Sequence, residues 1–95
     1  MIDKSQGRRQ FGRRQAFKAA TIVHADGQRL PATVIDLSEG GARIRVAQPE
    51  VVEKEFYLEI PGDDFIVKCR VIHIQEASVG AAFIRPPRRL SWLNK

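Results

Sequence analysis

A strict alternation of apolar and charged residues in the middle of the chain constrains its fold more than any other feature. Residues 41–46 read GARIRV, so apolar side chains at 42, 44 and 46 alternate with arginines at 43 and 45. Successive side chains of a β-strand point to opposite faces, so this pattern predicts a strand with one buried face. Residues 56–60, FYLEI, alternate in the same way and predict another such strand.

Turn-forming residues divide the rest of the chain into further short strands. Gly27 and Gly62 lie in the turn sequences ADGQ and PGDD, and residues 36–40 have the composition of a loop. The predicted strands cover residues 17–24, 29–35, 41–46, 56–60, 65–75 and 79–85. Barrel closure removes exposed strand edges, which favours a barrel for so short a chain. The sequence therefore predicts an all-β fold, a six-stranded antiparallel β-barrel.

The 95 residues are expected to form a single domain. The expected parts are a flexible basic arm over residues 1–16, the barrel over 17–85 and a C-terminal segment over 86–95. Proline at 86 and 87 ends the sixth strand, because proline cannot donate to a strand ladder. A short helix is predicted after it, with Leu90, Trp92 and Leu93 capping an open end of the barrel.

Positive charge is concentrated at the two ends of the chain. Residues 1–18 carry +5 from six Lys/Arg and one Asp, residues 85–95 carry +4, and residues 19–84 carry −4. This distribution favours a local anion site at the N-terminal arm over a general basic surface for nucleic acid.

The cellular setting is predicted from what the sequence lacks. Cys69 is the single cysteine, so no intrachain disulfide forms. The polar N-terminus has no signal-peptide pattern. No apolar run approaches the roughly 18 residues of a membrane span. We expect a cytoplasmic protein that does not insert into membranes.

The arm sequence RRQFGRR, over residues 8–14, carries groups suited to a phosphorylated nucleotide. Guanidinium groups bind phosphate through paired, charge-assisted hydrogen bonds and stack on flat rings such as purines. The same composition also fits a solvated basic tail, so the arm alone leaves both interpretations open.

The sequence DLSEGG, over residues 36–41, is a second candidate binding element. Its Asp and Ser side chains can shape the loop by bonding to backbone amides, or they can present acceptors to a guanine or a ribose. Its glycines allow a ligand to approach the backbone closely. In isolation the loop fits an ordinary polar turn better than a binding element.

Together the two elements resemble those of PilZ domains. The sequence RRQFGR, from Arg8 to Arg13, is similar to the family's RRxxxR element, and Asp36, Ser38 and Gly41 match its D/N-x-S-x-x-G element. One predicted hairpin separates the two elements, as in the family. Residues 69–72 and 79–83 also resemble the family's closing strands.

This resemblance implies a receptor for cyclic di-GMP whose arm wraps the ligand against a six-stranded barrel. Arg9 and Arg13 would contact phosphates and guanines. Asp36 and Ser38 would contact a guanine or its ribose, and Gly41 would keep the floor of the site open. The remaining implied site residues are Arg8, associated in the family with two ligands per protomer, and Arg14 and Gly40 as additional candidates.

The receptor would signal to an unidentified downstream protein in motility, biofilm or polysaccharide control. It would have no enzymatic activity and no cofactor other than the ligand. No metal site is predicted, because the spacing of His24, Cys69 and His73 matches no zinc pattern. Two alternatives stay open: a small-barrel protein that binds single-stranded nucleic acid, and a PilZ-like structural adaptor without ligand binding.

Overall fold

The chain folds into a closed β-barrel in the structure, a computed structural model that describes the backbone of residues 13–94 and the side chains of residues 17–93. Six strands form within this part of the chain. They are β1 (Arg13–Val23), β2 (Arg29–Ser38), β3 (Gly41–Arg45), β4 (Glu55–Ile60), β5 (Phe65–Ile74) and β6 (Ser78–Phe83). The predicted all-β fold, a six-stranded antiparallel barrel, is confirmed.

The strands follow the order β1-β2-β3-β6-β5-β4 around the barrel, and every neighbouring pair is antiparallel. A short ladder closes the barrel, in which Thr21, Ile22 and Val23 of β1 pair with residues 59, 58 and 57 of β4. Among residues 13–94, no helix is long and apolar enough to span a membrane.

Alternating apolar residues fill the barrel interior. Ile44 of β3 lies between Val34 of β2 and Val79 of β6, and all three side chains are fully buried. The core is completed mainly by Ile22, Phe56, Leu58, Ile60, Val67 and Cys69. Each large apolar side chain buried in this way contributes roughly 1.5–3 kcal/mol, so this interior is the main source of stability.

The described ladders contain three register shifts, of which two change the face of the barrel that groove residues occupy. In a regular strand, Asp36 would share the inner face with Val34, and His73 would share it with Val71. The register shifts between Val34 and Asp36 in β2, and between Val71 and His73 in β5. Each bulge inserts one residue. As a result, Asp36 and His73 both lie on the outer face.

Several predicted boundaries are corrected by the structure. Strand β1 begins at Arg13 and not at residue 17, so residues 13–16 belong to the barrel and not to the arm. Strand β2 continues through Ser38, so the predicted loop at 36–40 shrinks to the turn at residues 39 and 40. The reason is that Asp36 and Leu37 pair with β3 beyond the bulge and extend the ladder.

The C-terminal helix is a short 3-10 helix, Leu90–Asn94. The prediction that it caps the barrel is wrong for two of its residues, since Trp92 is 56% exposed and Leu93 is 51% exposed. Backbone hydrogen bonds hold the segment before it along the edge of β5 that β6 leaves unpaired, where Ile66 and Arg88 form an antiparallel bridge.

Candidate functional site

The last residue of the first motif and the second motif meet in one ladder of the barrel. In the pairing between β1 and β2, Arg13 lies opposite Ser38, and Gln15 lies opposite Asp36. Arg14 occupies the intervening position, opposite Leu37. Arg8 and Arg9 lie outside the described residues. The last arginine of the first motif is therefore at the same end of the barrel as the second motif.

A groove of about 240 Å³ opens beside the second motif, on the outer surface. It is lined by parts of β2, β3, β5 and β6, and three of the sequence-predicted residues, Asp36, Ser38 and Gly41, contribute to it, as does the additional candidate Gly40. The residues that line it beyond the motif include Arg43, Ile72, His73 and Gly80. The second motif therefore forms one wall of a concave surface that other strands complete.

Ser38 shapes the turn between β2 and β3. Its hydroxyl donates to the carbonyl oxygen of Gly41 at 3.1 Å. The Gly40 carbonyl accepts from the Phe83 amide at 2.9 Å, which attaches the same turn to the end of β6. The turn is held by both its own side chain and a neighbouring strand, so the motif is pre-formed as a rigid edge of the groove.

The two glycines of the turn differ in their surroundings. A β-carbon at Gly41 would collide with the carbonyl oxygen of Ala81 and approach the Ala82 Cα within 3.4 Å. At Gly40, nothing lies within 4 Å of such an atom. Gly41 therefore allows β3 to pack closely against β6, a structural requirement that the motif alone did not reveal.

Arg43 lines the candidate groove, although the sequence motifs do not point to it. It pairs with Asp36 across the β2–β3 ladder and is half-buried at the groove. Its guanidinium donates to the Gln75 side-chain oxygen at 2.6 Å, and Ser78 donates to the same oxygen at 3.3 Å. The alternation over residues 41–46 placed Arg43 on the outer face, but the bulge that brings Asp36 beside it was not visible in the sequence.

His73 is the second residue that was missed as a site residue. It lies opposite Gly80 in the β5–β6 ladder, and its ring covers that glycine closely. A β-carbon on Gly80 would lie 2.5 Å from the His73 Cε1. The imidazole is exposed and lines the groove together with Ile72, the extra residue of the bulge. An aromatic ring therefore forms the wall opposite the motif turn.

Cys69 and His24, the other two residues considered as metal ligands, make contacts that stabilise the fold. Cys69 is fully buried, and burial raises the pKa of its thiol from 9.0 to about 12. His24 lies near Asp26 and Glu53, with one ligand-type atom of each within 4.8 Å of the others. The Glu53 amide donates to the His24 Nε2 at 3.2 Å, and the Ala25 amide donates to the Glu53 carboxylate at 3.2 Å. These bonds join the β1–β2 turn to the connector before β4.

Comparison with known proteins agrees with this architecture. No curated protein matches the chain. The family model for the PilZ domain matches residues 7–92, nearly the whole chain, including both motifs, the groove and all six strands. The chain therefore belongs to the PilZ domain family.

Proposed function

We propose that this protein is a receptor for cyclic di-GMP that binds its ligand in the groove beside Ser38 and Gly41. The observation that carries the proposal is the groove that the second motif lines, next to the β1–β2 ladder in which the backbone of Arg13 lies opposite Ser38. The groove supplies polar acceptors, and the register supports the proposal that Arg13 adds a cation beside them, as a ligand with both phosphates and guanines requires.

The proposed roles divide according to chemistry. Arg9 and Arg13 bind the phosphodiesters, and Asp36 and Ser38 accept from or position a guanine and its ribose. Arg43 adds a cation to the groove wall near Asp36. Each charge-assisted contact contributes roughly 1.5–3 kcal/mol, so loss of one arginine should weaken binding by about tenfold to a hundredfold.

Binding would change the conformation of the arm and thereby the surface that a downstream protein meets, in the manner of an order–disorder switch. We propose that the receptor acts in the cytoplasm, in motility, biofilm or polysaccharide control, and that it is a binding module without catalysis or a further cofactor. From the resemblance of Arg8 and Arg9 to the family's arginine pair, we further propose two ligands per protomer.

Isothermal titration calorimetry of the whole chain with cyclic di-GMP tests the proposal. We expect binding at micromolar protein, strong loss in Arg13→Ala and Asp36→Ala, and little change in Arg45→Ala, which removes an exposed arginine away from the groove. Circular dichroism should show the same fold in all variants. Absence of heat with wild-type protein in the folded state would refute the proposal.

The titration with cyclic di-GMP also gives the stoichiometry, and a second titration tests the class of ligand. Two ligands per protomer in wild type, falling to one in Arg8→Ala, would support the proposed role of Arg8. A parallel titration with oligothymidylate distinguishes the nucleic-acid alternative, which predicts tighter binding to the oligonucleotide and a steep salt dependence.

A further inference from the structure

The C-terminal segment builds a second concave surface, separate from the groove. The backbones of Ile66 and Arg88 exchange two hydrogen bonds, of 2.8 and 2.9 Å, outside the regular strands. Further along, the Ser91 amide and hydroxyl donate to the Asp64 carboxylate at 2.7 and 2.9 Å. The segment is therefore fixed against the first half of β5 and forms a wall there.

Between this wall and β4 lies a cleft of about 340 Å³. Its apolar lining includes Tyr57, Ile66 and Leu93, of which Tyr57 is 42% and Leu93 is 51% exposed. Ile66 lies beneath them and is nearly buried. The cleft therefore offers a partly open apolar pocket, large enough for one or two side chains of a partner.

Cations surround this apolar lining. Lys68, Arg85 and Arg88 line the cleft, and the two arginines are exposed without an ion-pair partner among residues 17–93. The Glu55 carboxylate is 2.7 Å from Arg70 and 3.8 Å from Lys68. The hydrogen bond from Arg70 is the main cause that lowers the pKa of Glu55, and the charge of Arg85 also helps to lower it. The carboxylate is thus already shared, and the cleft keeps an excess of positive charge.

The aromatic rings at the cleft are poorly placed to stack on nucleic-acid bases. The Lys68 ammonium lies 5.6 Å from the centroid of the Tyr57 ring. Arg89 and Trp92 are the sequence neighbours of the cleft residues Arg88 and Leu93. The guanidinium of Arg89 lies 5.9 Å from the centroid of the Trp92 ring. Base stacking on these faces would have to displace a cation from a favourable cation–π position. Carboxylates can instead pair with the same cations without disturbing the rings.

From these observations we propose that the cleft between β4, β5 and the C-terminal segment docks an acidic segment of a partner protein that inserts an apolar side chain between Tyr57 and Leu93. Glutamate or aspartate residues beside that anchor would pair with Arg85 and Arg88. An apolar anchor surrounded by complementary charge is a common arrangement at protein interfaces. The cleft and the groove share no lining residue, so the proposed docking surface is distinct from the proposed ligand site.

An NMR titration of the ligand-free protein with a blocked, glutamate-rich peptide containing one central tryptophan tests this proposal. We expect amide shifts at Tyr57, Lys68 and Leu93, and none at the groove. A peptide with glutamine in place of every glutamate, and one with alanine in place of tryptophan, should each bind at least several times more weakly.

Matched charge reversals locate the binding surface. Arg88→Glu should weaken peptide binding roughly tenfold or more, since it replaces an attraction by a repulsion. Arg45→Glu, on β3, should leave it unchanged while altering the net charge equally. The backbone pairing of Arg88 does not involve its side chain, and circular dichroism verifies the fold of both variants.

Three results would overturn the proposal. The first is equal binding of the glutamate and glutamine peptides. The second is an equal loss in Arg88→Glu and Arg45→Glu. The third is oligothymidylate binding at the cleft more tightly than the peptide, which would assign the surface to nucleic acid.

Discussion

Arg13 and Ser38 lie directly opposite each other in the ladder that joins β1 to β2. They are 25 positions apart in the sequence, yet the hairpin between them returns the chain to the same end of the barrel. Because this pairing is made by the backbone, Arg13 lies beside the second motif without any ligand. The fold thus fixes where the first motif ends relative to the second.

Two arginines of β3 provide a matched test of the groove. Arg43 lines it beside Asp36, whereas Arg45, two residues further on, does not. Arg43→Ala should weaken cyclic di-GMP binding roughly tenfold, because a cation is lost from the groove wall. Arg45→Ala removes the same charge and should change affinity by less than about twofold, since solvent screens it. Calorimetric titration of both variants checks this, and equal losses would show that only net charge matters.

The glycines of the second motif should differ in their effect on stability. A methyl group at position 41 collides with the Ala81 backbone, which cannot move without disturbing the β3–β6 ladder. Gly41→Ala should therefore lower the free energy of unfolding by about 1–3 kcal/mol. Gly40→Ala meets open space and should change it by less than about 0.5 kcal/mol. Urea unfolding followed by circular dichroism measures both, and coincident midpoints would contradict this account.

Much of the barrel could be predicted because its interior depends on simple alternation. Residues 42 and 44 turn inward as their apolar character indicates, and the turns at Gly27 and Gly62 lie where the composition places them. The strand ends were less accurate. Residues 13–15 are polar, so their membership of β1 depends on pairing with β2 and not on their own hydrophobicity.

The opposite wall of the groove could not be predicted, because bulges break the two-residue period. Nothing in the composition of Val71, Ile72 and His73 indicates that one extra residue is inserted there. Without that insertion His73 would share the inner face with Val71. The alternation of residues in β5 does not by itself rule out that placement. The close contact between His73 and Gly80 similarly depends on strand register, which a single sequence does not specify.

The contact between His73 and Gly80 predicts a coupling between these positions. A methyl group on Gly80 would push the exposed imidazole aside, which changes the groove wall at little cost in stability. Gly80→Ala should thus weaken cyclic di-GMP binding severalfold in wild type. In the His73→Ala background the same substitution should have much less effect. A double-mutant cycle by calorimetry measures the coupling, for which we expect about 0.5–1.5 kcal/mol; additive effects would exclude it.

Cys69 predicts a dependence of stability on alkaline pH. Burial holds the pKa of its thiol near 12 in the folded protein, whereas the exposed thiol ionises at about 9.0. Below pH 9 both states are protonated and the thiol has no effect. Above it the unfolded state alone loses the proton, so the free energy of unfolding falls as pH rises.

Between about pH 8.5 and pH 10, wild type should therefore lose about 1 kcal/mol more stability than Cys69→Ala, because one ionisation is removed from the unfolded state of the variant. Urea unfolding at matched pH values measures this difference, and the subtraction cancels lysine and tyrosine ionisation common to both proteins. In native wild type at pH 8, iodoacetamide should modify the thiol only as fast as the barrel opens. The prediction would be wrong if the free energy of unfolding fell equally with pH in wild type and Cys69→Ala and iodoacetamide modified the native thiol rapidly. The Cys69 thiol would then be accessible in the folded barrel.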